Sequence, residues 1–275
     1  MAKRNELNIA LRLTVVLLIL ACLDSYGIYY TAKTVGHALS PLLFMLLAIL
    51  VSICFHMMLG FKRTDRISAL YSLVNAILLY LILDLEQLSW PLWCILFLSL
   101  NACMVFLRFK ARAIFNPVAF ASVLTYIWAR LFTDSNLPNI TWDKIGDSFL
   151  IGASTVSFSL LVMGLSIFLI TTVSRRFIMA VSFVATSFCI DNVWQQGSGG
   201  HLYAIVTFFT AAFLITDFKT TPDNNKKQML WGALAGICFS ISYNIDHLVG
   251  PMIAILFINL TFFLTDRIQM TTVDT

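Results

Sequence analysis

Three short polar segments of this largely apolar chain could bind a ligand, and the first of them places Asn116 directly before Pro117. The asparagine amide carries a donor and an acceptor together, so it could bind a ring edge or a carbonyl that presents the complementary groups. The same dipeptide is typical of a helix start, because Pro is favoured in the first helical turn and Asn just before it. The sequence leaves both interpretations open.

The second polar segment runs from Thr216 and Asp217 through Thr220 and Thr221 to Pro222. Its hydroxyl and backbone N–H groups predict a polar turn that could hold a ring edge, a phosphate or a cation. Irregular backbone at membrane depth is tolerated only where protein buries it or where it lines a cavity. The alternative is a local turn in which Asp217 caps the following helix.

The third segment, Ser198-Gly199-Gly200, lies in a gap that contains no Lys or Arg. Its glycines allow the backbone to approach a ligand closely, and they equally suit a plain flexible turn. Two ionisable residues, Asp24 and His56, lie inside apolar stretches, where such side chains are costly and often functional. They are the candidates for a proton or cation path.

The elements that would position these residues are about ten apolar stretches, most of them close to the length that spans a bilayer as a helix. Lys and Arg concentrate in alternate gaps, for example at Lys62 and Arg63 and again at 108–112. The intervening gaps are neutral or acidic, as at 84–86. Because Lys and Arg in short loops mark the cytoplasmic side, both termini are predicted to be cytoplasmic.

The composition also indicates a multi-pass protein of the cell (inner) membrane. Hydrophobic residues make up 59% of the chain and charged residues 12%, and the mean hydropathy of +0.86 lies outside the range of soluble domains. The net charge of +4 fits loops that face anionic lipid and gives no reason to propose nucleic acid as a partner. Six singly scattered cysteines predict neither a disulfide framework nor a cysteine-rich metal site.

Ten spans with both ends inside divide into two sets of five that enter the membrane in opposite senses. An odd number of spans in each half is typical of an inverted-topology repeat. The functional sites of such proteins lie at the interface of the two repeats, near broken helices. Asp84 with Pro91, and Asp217 with Pro222, recur at corresponding places, although acids and prolines gather at helix ends anyway. The prediction is an all-α, ten-helix membrane protein. Its parts are a first repeat at 1–132, an outer loop at 133–148, and a second repeat with a short cytoplasmic tail at 149–275.

Two segments go beyond this general pattern. One is 110–120, Lys-Ala-Arg-Ala-Ile-Phe-Asn-Pro-Val-Ala-Phe, and the other runs from Ser198-Gly-Gly through Thr216-Asp217 to Gly236. In order and spacing they resemble the RnfD/NqrB family, the D subunit of Rnf electron-transport complexes and the B subunit of the sodium-pumping NADH:quinone reductase. The closing stretch that contains Asn259 also resembles the final span of that family. The resemblance covers roughly the last 170 residues in register.

The resemblance implies membrane-embedded electron transfer through a flavin, usually coupled to movement of Na⁺ or H⁺. Family members attach FMN through a phosphoester to the Thr of a Ser-Gly-Ala-Thr motif, in the outer loop between the fifth and sixth spans. The corresponding loop, 133–148, is short and lacks this motif, so covalent FMN is not expected. Gly152-Ala-Ser-Thr155 lies inside the sixth predicted helix, where small residues favour close helix packing.

The resemblance therefore predicts a subunit of an oxidoreductase, without a complete active site of its own. It would bind FMN or riboflavin non-covalently near Asn116 and Thr216–Pro222, with Ser198–Gly200 as a further candidate. Its redox partner would be another membrane subunit, or a quinone in the lipid bilayer. The same inverted repeat also suits a carrier for a small solute such as a flavin. A third interpretation is a scaffold subunit that has lost its cofactor.

Overall fold

Almost every described residue in this computed structural model is helical. The described residues are 11–19, 21–22, single positions between 43 and 54, 66–82, 90–109, 112–132, 176–195, 200–215, 222, 224–246 and 249–273. The all-α prediction is confirmed for this part of the chain. Within it, no helix combines the length and the apolar character needed to cross a membrane. The predicted outer loop at 133–148 and the predicted sixth span lie outside the described residues.

The helices from residue 66 onward follow the chain with short connections. They are α1 (Arg66–Ile82), α2 (Trp90–Phe106), α3 (Pro117–Phe132), α4 (Phe177–Gln195), α5 (Gly200–Phe209), α6 (Asn225–Ile245) and α7 (Gly250–Val273). A π-helical turn, Thr210–Leu214, continues α5 without a break. Two strands, β1 (Arg108–Phe109) and β2 (Arg112–Ala113), separate α2 from α3.

The basic gap after α2 forms a short antiparallel hairpin, which the sequence analysis did not predict. Arg108 pairs with Ala113 and Phe109 with Arg112. The N–H of Ile114 extends the ladder by donating to the Leu107 carbonyl at 2.9 Å. Strands of two residues carry no alternating pattern that sequence analysis could detect. The hairpin returns the chain directly to the start of α3.

Helices α4 and α6 approach each other closely because two glycines of α6 face the backbone of α4. A Cβ added at Gly232 would lie 2.5 Å from the Met179 carbonyl oxygen, and one at Gly236 would lie 2.8 Å from that of Phe183. No ordinary side chain fits at these distances. The rings of Phe183 and Phe239 pack edge to face beside this contact, with centroids 5.2 Å apart.

The remaining contacts join helices from distant parts of the described chain around one apolar core. Helix α3 packs against α1, α2 and α7, and α7 packs against α6. Large buried side chains come from most of these helices, among them Ile77, Phe97, Phe183, Phe209 and Phe239. Helix α3, which ends at Phe132, therefore packs against α7, which begins more than 100 residues later at Gly250.

Candidate functional site

Asn116 lies directly before α3 and is only 3% exposed. Its side-chain Oδ1 accepts hydrogen bonds from the backbone N–H of Val118 at 3.0 Å and of Ala119 at 3.2 Å. Pro117 occupies the first helical position, where a missing N–H costs nothing because that group has no intrahelical partner. The helix-start interpretation of this dipeptide is therefore observed.

Asn116 also reaches two distant parts of the chain. Its backbone N–H donates to Oδ1 of Asn259 in α7 at 2.8 Å, and its Nδ2 donates to the Leu214 carbonyl at 3.3 Å. All three residues are buried. We refer to Asn116, Leu214 and Asn259 as the asparagine junction. It joins the start of α3, the end of the π-helical turn and the middle of α7.

The π-helical turn supplies the carbonyl that Asn116 binds. The N–H of Ile215 donates to the Thr210 carbonyl at 2.9 Å, five residues back, instead of four as in an α-helix. Carbonyls in the last turn of a helix lack an intrahelical partner, and Leu214 is one of these. Single π turns inside α-helices are frequent at functional sites. The turn ends immediately before the second polar segment.

The structure describes only some of the residues that the sequence analysis singled out. Pro222 is buried, and Gly200 is the first residue of α5. Leu214, whose carbonyl Asn116 contacts, precedes Thr216 by two positions in the sequence. The other candidates lie outside the described residues: Asp24, His56, Ser198, Gly199, Thr216, Asp217, Thr220 and Thr221.

The structure identifies the N-cap of α6 as Asn224. Its Oδ1 accepts a hydrogen bond from the N–H of Lys226 at 2.9 Å. The sequence analysis considered Asp217 as the cap of the following helix. That alternative is wrong for α6, because Asn224 lies seven positions further along the chain and takes this role.

A second buried polar cluster was not predicted. It contains Ser187 and Asp191 of α4, Tyr203 of α5 and Ser240 of α6, and we refer to it as the Asp191 cluster. The Tyr203 hydroxyl lies 2.7 Å from the Ser240 hydroxyl, and both lie within hydrogen-bonding distance of the Ser187 carbonyl, at 3.0 and 3.3 Å. The spacing of Ser187 and Asp191 places both on one helix face, which is the sequence signal that could have indicated the pair.

Two polar atoms of this cluster have no hydrogen-bond partner among the described residues, Oδ1 of Asp191 and Oγ of Ser187. Asp191 is 5% exposed. It lies inside α4, four positions before the helix ends at Gln195. In the described ranges, no three His, Cys, Asp or Glu side chains gather as a metal-binding group.

Compared with models of known protein families and with curated proteins, the chain has no match. The resemblance to the RnfD/NqrB family therefore depends on the motifs in the sequence.

Proposed function

We propose that this chain is a membrane-embedded electron-transfer subunit of RnfD/NqrB type, and that it binds a flavin non-covalently beside the asparagine junction. The observation that carries the proposal is the convergence of the three segments that resemble the family. Asn116 belongs to the first, Leu214 lies in the second, two positions before Thr216, and Asn259 belongs to the last. These contacts join residues 98 and 143 positions apart, so local helix formation does not account for them.

The junction also assigns roles within the proposed site. Asn116 Oδ1 already accepts two hydrogen bonds, and one hydrogen of Nδ2 is used by Leu214. An amide has two such hydrogens, so Asn116 retains one donor. We therefore assign Asn116 as a positioning residue that fixes the start of the second polar segment. The hydroxyls of Thr216, Thr220 and Thr221 are the proposed flavin ligands. The flavin supplies the redox chemistry when bound, and the chain binds and orients it.

Exposed apolar side chains support a membrane location. Leu131 is 70% exposed, Val193 84% and Ile245 81%, within the described part of the chain. Exposed apolar side chains are expected where a surface contacts lipid or another protein. Together with the alternating basic gaps, this supports the ten-helix arrangement with two inverted repeats and both termini inside. The junction between α3 and α7 then lies at the interface of the two repeats, where such folds place their sites.

The absorption spectrum of the full-length, detergent-purified protein tests the proposal, before and after acid precipitation. A flavin band near stoichiometric level that acid releases into the supernatant is the expected result. Flavin that remains with the precipitated protein would show a covalent link and contradict the non-covalent part of the proposal.

A matched pair of variants locates the flavin. Thr216→Val removes one proposed ligand and should lower the bound flavin at least tenfold. Thr265→Val removes a hydroxyl that bonds only within α7, to Thr261 and Phe262, and should leave the flavin content unchanged. Protein that is folded but contains no flavin, and that takes up none when flavin is added, would reject electron transfer. The carrier would then be tested by flavin uptake into vesicles, and a negative result would leave the scaffold.

A further inference from the structure

Two hydrogen bonds link the starts of α3 and α7, each to the middle of the other helix. Asn259, the tenth residue of α7, accepts from the N–H of Asn116, which directly precedes α3. Tyr126, the tenth residue of α3, donates its hydroxyl to Oδ2 of Asp246 at 3.2 Å, and Asp246 lies four positions before α7 begins. The two helices are therefore antiparallel, and each holds the start of the other, as in a pair that a two-fold axis relates.

The two bonds differ in length and in burial. The bond between Asn116 and Asn259 measures 2.8 Å, and these residues are 3% and 5% exposed. The bond between Tyr126 and Asp246 measures 3.2 Å, and both residues are only half-buried. Water competes for a hydrogen bond that it can reach, so the bond at Tyr126 contributes less stability than the buried one. The α3–α7 pair is therefore held more weakly at Tyr126 than at the asparagine junction.

The corner between α6 and α7 is fixed by local contacts that do not involve Tyr126. Oδ1 of Asp246 accepts from the Val249 N–H at 3.1 Å, and the Asp246 carbonyl accepts from the Gly250 N–H at 3.0 Å. A Cβ at Gly250 would overlap the Ser242 carbonyl, so only glycine fits this close approach. When the bond to Tyr126 breaks, the corner is expected to move as one unit.

A second partner for the Asp246 carboxylate lies beside Tyr126. Arg130, one turn further along α3, is exposed, and its guanidinium carbon lies 6.0 Å from the centre of the Tyr126 ring. Arg binds a carboxylate through two parallel hydrogen bonds, and its longer side chain can follow the carboxylate outward. Asp246 thus has two available partners on one face of α3, Tyr126 when the helices are close and Arg130 when they separate.

A buried polar group lies between Tyr126 and the asparagine junction along α3. Ser122 precedes Tyr126 by one turn, so both residues lie on the same face of the helix. It is 0% exposed, and its hydroxyl oxygen has no hydrogen-bond partner among the described residues. A group of this kind costs free energy until water or a ligand reaches it.

From these contacts we infer that Tyr126 and Asp246 form a gate, at which α3 and α7 separate while the asparagine junction keeps them joined. In the closed arrangement Tyr126 holds Asp246. In the open one Arg130 holds it, and water reaches Ser122. The opening leads along α3 toward Asn116, so it admits water and small polar solutes to the junction. The gate consists of α3 and the corner between α6 and α7, and it does not depend on whether a flavin binds.

Hydrogen–deuterium exchange of the full-length, detergent-purified protein tests the gate. Peptides within 250–255 report the start of α7, and peptides within 257–262 report the asparagine junction. Tyr126→Phe removes the closing hydroxyl and should speed exchange in 250–255 by about fivefold to tenfold, with 257–262 unchanged. Equal acceleration in both ranges would overturn the inference, because the helices would then separate as a whole. Unchanged exchange in 250–255 would also overturn it.

Two further variants make the test specific. Thr125→Val removes the neighbouring hydroxyl, which bonds to the Ala121 carbonyl within α3, and should leave exchange unchanged. Arg130→Gln removes the partner of the open arrangement and should slow exchange in 250–255 by about threefold. A bond that only stabilises the fold would not give opposite effects in Tyr126→Phe and Arg130→Gln. Unchanged or faster exchange in Arg130→Gln would therefore reject the gate. The absorption spectrum of the same wild-type sample reports the flavin separately.

Discussion

The asparagine junction and the Asp191 cluster are both buried, both polar, and both formed by three elements, yet they differ in how their polar atoms are paired. At the junction, both polar atoms of the Asn116 side chain and its backbone N–H have partners. In the Asp191 cluster, Oδ1 of Asp191 and Oγ of Ser187 have none among the described residues.

This difference distinguishes a polar cluster that stabilises the fold from one that is suited to bind a ligand. A buried polar group with all its hydrogen bonds satisfied stabilises one arrangement of the chain. A buried polar group without partners costs free energy, and the cost is recovered when a ligand supplies the missing contact. Mutations that remove paired groups at the junction should therefore lower stability, whereas removal of an unpaired group in the Asp191 cluster should cost little or raise stability.

The largest effect is expected for Asn116→Ala. The substitution removes the cap of α3 and the contact with Leu214, and it leaves buried N–H and carbonyl groups unpaired. We expect a loss of about 3 kcal/mol in the free energy of unfolding, measured by denaturant titration. Ser122→Ala is the control on the same helix, since its buried hydroxyl has no partner among the described residues, and it should cost less than about 1 kcal/mol. Equal losses in the two variants would show that the hydrogen bonds of Asn116 add no stability beyond that of an unpaired buried hydroxyl.

Asn259→Leu should come next. It keeps the approximate volume but leaves the Asn116 N–H without its acceptor, which should cost about 2 kcal/mol in the same titration. Thr261→Val, two positions further along α7, removes a hydroxyl that bonds only within its own helix. That control should stay within about 0.5 kcal/mol of the wild type. A tolerated Asn259→Leu would mean that the N–H finds another acceptor.

Tyr203→Phe should have a moderate effect, because it removes one hydroxyl from a hydrogen-bonded set that keeps Ser240 on the same carbonyl. We expect a loss of about 1 kcal/mol by thermal unfolding. Ser240→Ala should cost about the same, since it removes the other hydroxyl on the Ser187 carbonyl. A much larger loss of stability for either variant would show that the remaining hydroxyl does not replace the missing one at the Ser187 carbonyl.

The smallest effect, and the one with the opposite sign, is expected for Asp191→Asn. The variant removes a buried charge that has no hydrogen-bond partner among the described residues, so it should be more stable than the wild type by about 0.5–1 kcal/mol. Thermal unfolding measures the difference, and a loss of stability would show that Asp191 has a partner.

A local signal in the sequence predicted one helix start: Asn116-Pro117 marks the start of α3, as the helix-start interpretation of that dipeptide requires. The hairpin at 108–113 was missed because its strands have two residues each. The π-helical turn was missed because Thr-Ala-Ala-Phe-Leu is equally compatible with an α-helix.

The partners of the polar residues could not be predicted in the same way. Asn116 meets a carbonyl 98 positions away and an amide 143 positions away, and no periodicity in one sequence selects such pairs. Nothing local indicated that Tyr203 and Ser240 would meet at the Ser187 carbonyl, one turn before Asp191. Long-range pairing follows from helix packing, here from glycines of α6 that bring α4 close.

The π-helical turn sets the register between these two regions. Tyr203 and Leu214 lie on one continuous helix, 11 positions apart, with the turn between them. The turn holds one residue more than the α-helical repeat, so a regular α-helix over the same residues would rotate the preceding segment by about 100° relative to Leu214. With Leu214 held by Asn116, that rotation would carry the Tyr203 hydroxyl away from Ser187. The single additional residue therefore acts as a phase adjustment, which lets one helix satisfy both regions at once.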